Sequence, residues 1–363
     1  MRKITLNILL FVFTICTMPF VGEGVFRLIF DKADYLLPLL VKDPVFGVRP
    51  FPLSTGHDAW SFRNSKIPSQ TEIMAIGDSM TYGYSAPRFL SYPAQLEKIT
   101  GSTVYNAGNG GWSMVQYFCA FKKFAPKLDP KIIIFGLYFG NDIRESYHYR
   151  NLKCDDSLDK NVFLVKVDDY EPSRLFGKHR SWLSKNSVFY QVVKMNFEKI
   201  ASIVRLKLSQ KQQLLVFGSG NTKVVFSKYN VGALNIENQQ ISLGLEIIKN
   251  KIKEIKPLCD AKKIKCYLLL IPSKRLVHKN TIELAKKKEG YTLLKTEIEA
   301  EIAVRTQVIS FAKALSFSFI DPLSALQAVI GYKKIFPHTE DIHFNGSGYG
   351  VIAEVISNRL KKD

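Results

Sequence analysis

The stretch EIMAIGDSMTYG, residues 72–83, decides the fold. Four apolar residues at 73–76 stop at Gly77, and Asp78 and Ser79 follow at once. A short continuous apolar run that ends on glycine reads as a strand buried on both faces. Three similar runs follow, at 131–138 (KIIIFGLY), 264–271 (IKCYLLLI) and 317–320 (FSFI), with a weaker one at 102–108 (STVYNAG). Helical patterns lie between them. Within 236–256 the apolar positions 241, 245, 248, 252 and 255 recur in steps of four and three, which makes one stripe of an amphipathic helix. Lys249, Lys251, Lys253 and Lys256 fall on its solvated sides, and Pro257 is expected to stop it. Residues 291–315 and 346–361 are expected to be further helices. Strands alternating with helices predict a doubly wound α/β fold, a three-layer α/β/α sandwich around a central, mostly parallel sheet.

In an open α/β sheet, ligands sit off the carboxyl ends of the strands. The residues that follow each predicted strand are therefore the candidates. Gly77, Asp78 and Ser79 follow the first. The glycine-rich NAGNGGWS, 106–113, follows the second, and FGND, 139–142, follows the third. HTEDIHFNGSG, 338–348, precedes the last helix. Together they supply a hydroxyl, free backbone N–H groups, an amide and an imidazole. A serine hydroxyl needs a base to become a nucleophile. His343 is the candidate base, and Asp341, two residues earlier, can hold its ring in one tautomer. The backbone N–H groups of Ser79 and Gly111 and the side-chain amide of Asn141 are candidate donors to an oxyanion. Asp142 is expected to orient its loop rather than react. Trp112, Tyr82, Tyr84 and Tyr138 are candidates to line a substrate pocket, and each has equal claim to be core.

These four blocks, in this order across residues 77–350, resemble the SGNH/GDSL hydrolases, a family of serine esterases, lipases and acetylhydrolases. GDSMTYG resembles the first block, with Ser79 at the nucleophile. NAGNGGWS resembles the second and puts Gly111 on the oxyanion glycine. FGND resembles the third, with Asn141 as the oxyanion asparagine, and DIHFNGSGYGVIAE resembles the last, with His343 as base. Two positions depart from the family pattern. Phe139 stands where the third block usually opens on glycine. Glu340 stands three residues before His343, the usual place of an aspartate, so Asp341 is expected to be the acid with Glu340 in reserve. The resemblance implies a flavodoxin-like sandwich and ester hydrolysis by a Ser-His-Asp mechanism without metal or cofactor. SFRNSKIPSQTEIMAIGDSMTYG behind an apolar N-terminus, with LLLIPSK later, further resembles a membrane-associated bacterial branch linked to O-acetyl groups on surface glycans. An O-acyltransferase using the same residues and a catalytically silent glycan-binding protein are the alternatives.

The N-terminus is MRKITLNILLFVFTICTMPFV, in which residues 4–21 carry no charge. That is near the minimum length to span a bilayer, and Arg2 and Lys3 place its start in the cytoplasm. The expected organisation is a membrane anchor or signal segment at 1–21, an irregular connector at 22–70 and a hydrolase domain at 71–363 with an insertion or cap at about 150–235. An uncleaved anchor is favoured over a cleaved signal because TMPFVGEG is a poor cleavage site. Either puts the domain on the extracytoplasmic side. The net charge of +19 favours anionic partners, or reflects helices solvated by lysine. No nucleic-acid-binding signature accompanies it. The five cysteines show no metal-ligand spacing; export would permit disulfides, with Cys259 and Cys266 the nearest pair, but Cys266 opens a predicted strand and no pairing is assigned.

Overall fold

The computed structural model describes residues 2–154, 165–166, 177–197, 214–228 and 234–363. Five parallel strands form the central sheet: β1 (Ile73–Gly77), β2 (Val104–Gly108), β3 (Ile132–Tyr138), β4 (Lys265–Ile271) and β5 (Ser318–Ile320). Their spatial order is β5-β4-β3-β1-β2. This is the flavodoxin-like order, and its switch point lies between β1 and β3, where the chain leaves in opposite directions and opens a crevice. The helices are α1 (Arg2–Ile29), α2 (Tyr92–Thr100), α3 (Met114–Leu128), α4 (Asp142–His148), α5 (Gln239–Ala261), α6 (Tyr291–Ala314) and α7 (Gly346–Leu360).

The alternation of side chains along each strand builds two cores. Met74, Ile76, Ile133, Phe135, Leu137, Leu268 and Leu270 face one layer, where they meet α3, α5 and α6. Ile73, Ala75, Ile134, Tyr138, Tyr267, Leu269 and Ile271 face the other, against α2 and α7. Both faces are covered, which is why these strands read as unbroken apolar runs.

Several sequence expectations are corrected. Helix α5 continues through Pro257 to Ala261. Proline removes one intrahelical donor, its own, and here only the final turn follows it. Buried Cys259 in that turn is bonded to Cys266 at the start of β4, which holds the turn in place. A second disulfide joins Cys119 of α3 to Cys154. The sequence leaves disulfide pairing open, and the structure assigns both bridges. Spacing in sequence does not report the distance between α carbons, which is 6.3 Å and 5.1 Å in the two pairs and within bridging range. The connector at 22–70 is not irregular throughout. Helix α1 runs on to Ile29, and Leu40–Asp43 pairs antiparallel with Gly47–Pro50. Most of the expected insertion at 150–235 lies outside the described residues. Its described parts include an antiparallel ribbon, Leu214–Phe217 with Val224–Ser227.

The Cys119–Cys154 bridge closes a separation of 35 residues and Cys259–Cys266 one of 7. Loop-closure entropy then assigns about 3–4 kcal/mol to the first and about 2 kcal/mol to the second. Denaturant unfolding of the two double-alanine variants is expected to rank them in that order. The reverse order would show that native-state packing, not chain entropy, sets their worth.

Candidate active site

Ser79 opens a single helical turn, Ser79–Tyr82, immediately after β1. Asp78 caps this turn, its carboxylate accepting from the Met80 amide at 2.9 Å. Three glycines make the floor beneath it. Gly77, Gly108 and Gly136 stand side by side in register on β1, β2 and β3. A Cβ on Gly77 would lie 1.9 Å from Thr81 Oγ1, one on Gly136 2.6 Å from the same atom, and one on Gly108 2.3 Å from the Tyr82 amide. The turn seats against the sheet only because these three positions carry no side chain. The sequence quoted at the start shows one of them; the other two are separated from it by 31 and 59 residues.

The Ser79 hydroxyl lies 2.9 Å from His343 Nε2, and His343 Nδ1 lies 2.7 Å from Asp341 Oδ1. The His343 backbone amide also donates to Asp341 Oδ1, at 3.0 Å. Asp341 Oδ2 accepts from the Ser85 hydroxyl. Burial would raise the Asp341 carboxyl, but the hydrogen bonds from His343 and Ser85 outweigh it and bring it to about 2. Asp341 is therefore ionised across the whole neutral range and can stabilise an imidazolium. Glu340 is exposed and does not meet the ring.

The Ser79 hydroxyl also lies 3.2 Å from Asp78 Oδ2. Complete burial pushes the Asp78 carboxyl up to about 6, against the Met80 amide and His343, which pull it down. Asp142 is buried as deeply. Desolvation, with Asp78 nearby, drives its carboxyl well above the usual range. It accepts from the Tyr138 amide and the Tyr117 hydroxyl, both at 2.9 Å, so it fixes the turn between β3 and α4.

The candidate oxyanion donors follow strands that flank β1. Among the described residues, the backbone N–H groups of Ser79 and Gly111 donate to no backbone carbonyl. Gly111 has φ +75°, and a Cβ there would meet nothing within 4 Å. The space above this amide is thus open to a substrate. Asn141 precedes α4, and its side-chain Oδ1 is buried without a partner. Phe139, the departure from the family block, is fully buried, with its amide donating to Ile271 O at 3.1 Å.

The four aromatic candidates divide. Trp112 does not line a pocket; its ring is 2% exposed and stacks on Phe46 at 5.0 Å. Tyr138 is likewise core, at 1% exposure. Tyr82 is buried but adjoins the site, since it stacks on Tyr84 at 4.8 Å, and Tyr84 stacks on His343 at 5.3 Å. Tyr84, which is 45% exposed, is the aromatic surface beside the imidazole. The sequence reading missed Ser85. It also left the lysine of LLLIPSK without a role. Buried Lys274 donates to the carbonyls of Thr339 at 2.7 Å and Asp341 at 2.9 Å, and so ties down the segment that carries the acid. Burial pulls this ammonium down to about 8, with Asp341 and Glu340 opposing. No group of three metal-ligating side chains occurs among the described residues.

No family model matches the sequence, and no curated protein matches it. Solved structures are similar at low identity. A GDSL-like lipase from Bacteroides thetaiotaomicron VPI-5482 is 12% identical, with a TM-score of 0.37 over 80% of this chain and 87% of that one. An α/β hydrolase from the metagenome of Lake Arreo is 10% identical, with a TM-score of 0.38 over 81% and 97%. A variant of an acetyl-xylooligosaccharide esterase from Geobacillus Stearmophilus is 10% identical, with a TM-score of 0.36 over 81% and 95%.

Proposed function

We propose that this chain is a serine esterase of the SGNH/GDSL type that removes O-acetyl groups from a cell-surface glycan. The observation that carries the reading is the continuous hydrogen-bond chain from Ser79 through His343 to Asp341. Ser79 Oγ attacks the ester carbonyl while His343 Nε2 takes its proton. Charge develops on the carbonyl oxygen, where the Ser79 and Gly111 N–H groups and the Asn141 amide receive it. His343 then returns the proton to the departing alkoxide, leaving Ser79 acylated. Water, deprotonated by His343, releases the acid and restores the serine.

An acetylated sugar suits the surroundings. The open space over Gly111 admits a bulky alcohol, and exposed Tyr84 offers an aromatic face to a sugar ring. Two disulfides point to an oxidising compartment, hence a domain outside the cytoplasm. Residues Thr5–Ile29 are long and apolar enough to cross a membrane, with a mean hydropathy of 1.9. The last turns of α1 are bonded to the body: the Glu23 carboxylate accepts from the Val188 and Phe189 amides at 3.1 and 2.9 Å. That supports an anchor kept in the mature protein over a cleaved signal.

The test is reaction with a fluorophosphonate probe, followed by assay of acetate from an acetylated polysaccharide. Labelling at Ser79 with acetate release is expected. A wild-type protein that takes no probe would refute the esterase reading, and acetyl transfer to added glycan in place of acetate would make the chain an acyltransferase. Asn141→Ala is expected to lower kcat about 10²–10³-fold with KM little changed, because its donor acts on charge present only in the transition state. Steady-state kinetics on p-nitrophenyl acetate measure this, and an unchanged kcat would remove Asn141 from the oxyanion site.

A further inference from the structure

The chain leaving the apolar helix is bound to the loop that adjoins the acid and the base. Phe26, Phe30, Tyr35 and Leu36 pack with Val188 and Val192, which fixes where this segment starts. Asp31 caps the turn Lys32–Tyr35 and receives Arg88 Nη2 at 2.8 Å. Asp34 Oδ1 receives the Arg88 amide at 2.6 Å and Arg63 Nη2 at 3.0 Å. The Arg63 and Asp34 side chains are 6% and 7% exposed. From there Arg63 reaches the loop itself, donating to Gly83 O at 2.9 Å and to Ala86 O at 3.2 Å. The carbonyl between them, Tyr84 O, accepts from the Tyr349 hydroxyl at 3.0 Å. Three of the four carbonyls in residues 83–86 are thus held by side chains from outside the loop.

We propose that residues 83–86 are a positioning device for the acid–base pair, in which Ser85 acts through Asp341 and the Asp34–Arg63 ion pair sets the loop. The proposal rests on the reading of Ser79, His343 and Asp341 as the reacting groups. A buried ion pair adds little net stability once its desolvation is counted, but it fixes one arrangement of the groups it holds. Here that arrangement includes a non-glycine residue with a left-handed backbone, Ser85 at φ +63°, a conformation that persists only where the surroundings impose it. In this conformation the Ser85 hydroxyl meets Asp341 Oδ2, while the neighbouring Tyr84 ring lies on His343. The hydroxyl shares the carboxylate charge, and the ring holds the imidazole plane. The segment next to the membrane anchor therefore fixes the geometry of the site.

The experiment compares full-length Ser85→Gly and Asp34→Asn with wild type by kinetics, thermal unfolding and NMR titration of the His343 ring. Glycine accepts the left-handed backbone, so Ser85→Gly removes the hydroxyl without adding strain. Deprived of this donor, the Asp341 carboxylate binds its imidazolium more tightly. The midpoint of the His343 titration is then expected to move up by about half a pH unit, with kcat lowered about tenfold and KM within twofold. Asp34→Asn is expected to shift the same midpoint in the same direction. A His343 midpoint unchanged in Ser85→Gly overturns the proposal. So does an Asp34→Asn variant that loses thermal stability while its His343 titration stays at the wild-type value. Should Asp34→Asn not fold, Ser85→Gly decides alone. If wild-type Ser79 takes no fluorophosphonate, the esterase reading fails, and the His343 titration still judges the loop.

Discussion

Replacing Ser79 by alanine is expected to lower kcat for p-nitrophenyl acetate by about 10⁴-fold or more and to abolish labelling by a fluorophosphonate. The size of the loss follows from the geometry. The Ser79 hydroxyl meets His343 at 2.9 Å and Asp78 Oδ2 at 3.2 Å, while the cap of the turn uses the other carboxylate oxygen, Asp78 Oδ1, which accepts from the Met80 amide with or without the hydroxyl. The turn keeps its cap and its seat on the three glycines, so the thermal midpoint is expected to stay within about 2 °C. Loss of activity without loss of fold is the signature of a group used in the reaction. An alanine variant that still turns over the ester at the wild-type rate would mean that Ser79 is a buried turn residue and no more.

The second large effect separates two neighbouring acids. Asp341→Asn is expected to lower kcat about 10⁴-fold at neutral pH, and Glu340→Gln to leave it within twofold. Asp341 accepts from both the ring and the amide of His343, at 2.7 and 3.0 Å, whereas Glu340 is exposed. An asparagine amide in place of the carboxylate can present a donor to Nδ1 and favour the wrong tautomer, and it offers no charge to an imidazolium. Because the Asp341 carboxyl is held at about 2, no acid limb of the rate profile above pH 4 is expected to come from it. Equal losses in the two variants would return the role of the acid to Glu340.

The element pattern was legible in the chain. Strands buried on both faces leave unbroken apolar runs, and amphipathic helices leave a stripe, so β1, β3 and β4 and helices α5, α6 and α7 could be placed to within a few residues. The order of Ser79, Gly111, Asn141 and His343 along the sequence was equally plain, because each follows a strand or precedes the last helix. Local chemistry did not extend to the partners. Cys259 and Cys266 stood out only as the nearest pair, and the bridge from Cys119 to Cys154 left no sign, since a disulfide depends on where two Cβ atoms point. Trp112, beside Gly111 in sequence, turned inward onto Phe46, because adjacent residues need not share a face.

The sequence alone showed the strands of the central sheet, helices α5, α6 and α7, and the loops that carry groups able to react. Periodicity and the identity of the residue that ends each run depend only on near neighbours. The tertiary structure alone decided that Gly77, Gly108 and Gly136 share one floor under the turn that carries Ser79. It also decided that Asp341 rather than Glu340 meets the imidazole, and that Ser85 and Arg63 hold the groups around it. The glycine floor and the contacts of Ser85 and Arg63 join residues tens to hundreds of positions apart, and strand register and the directions of Cβ bonds arise only when the chain has packed.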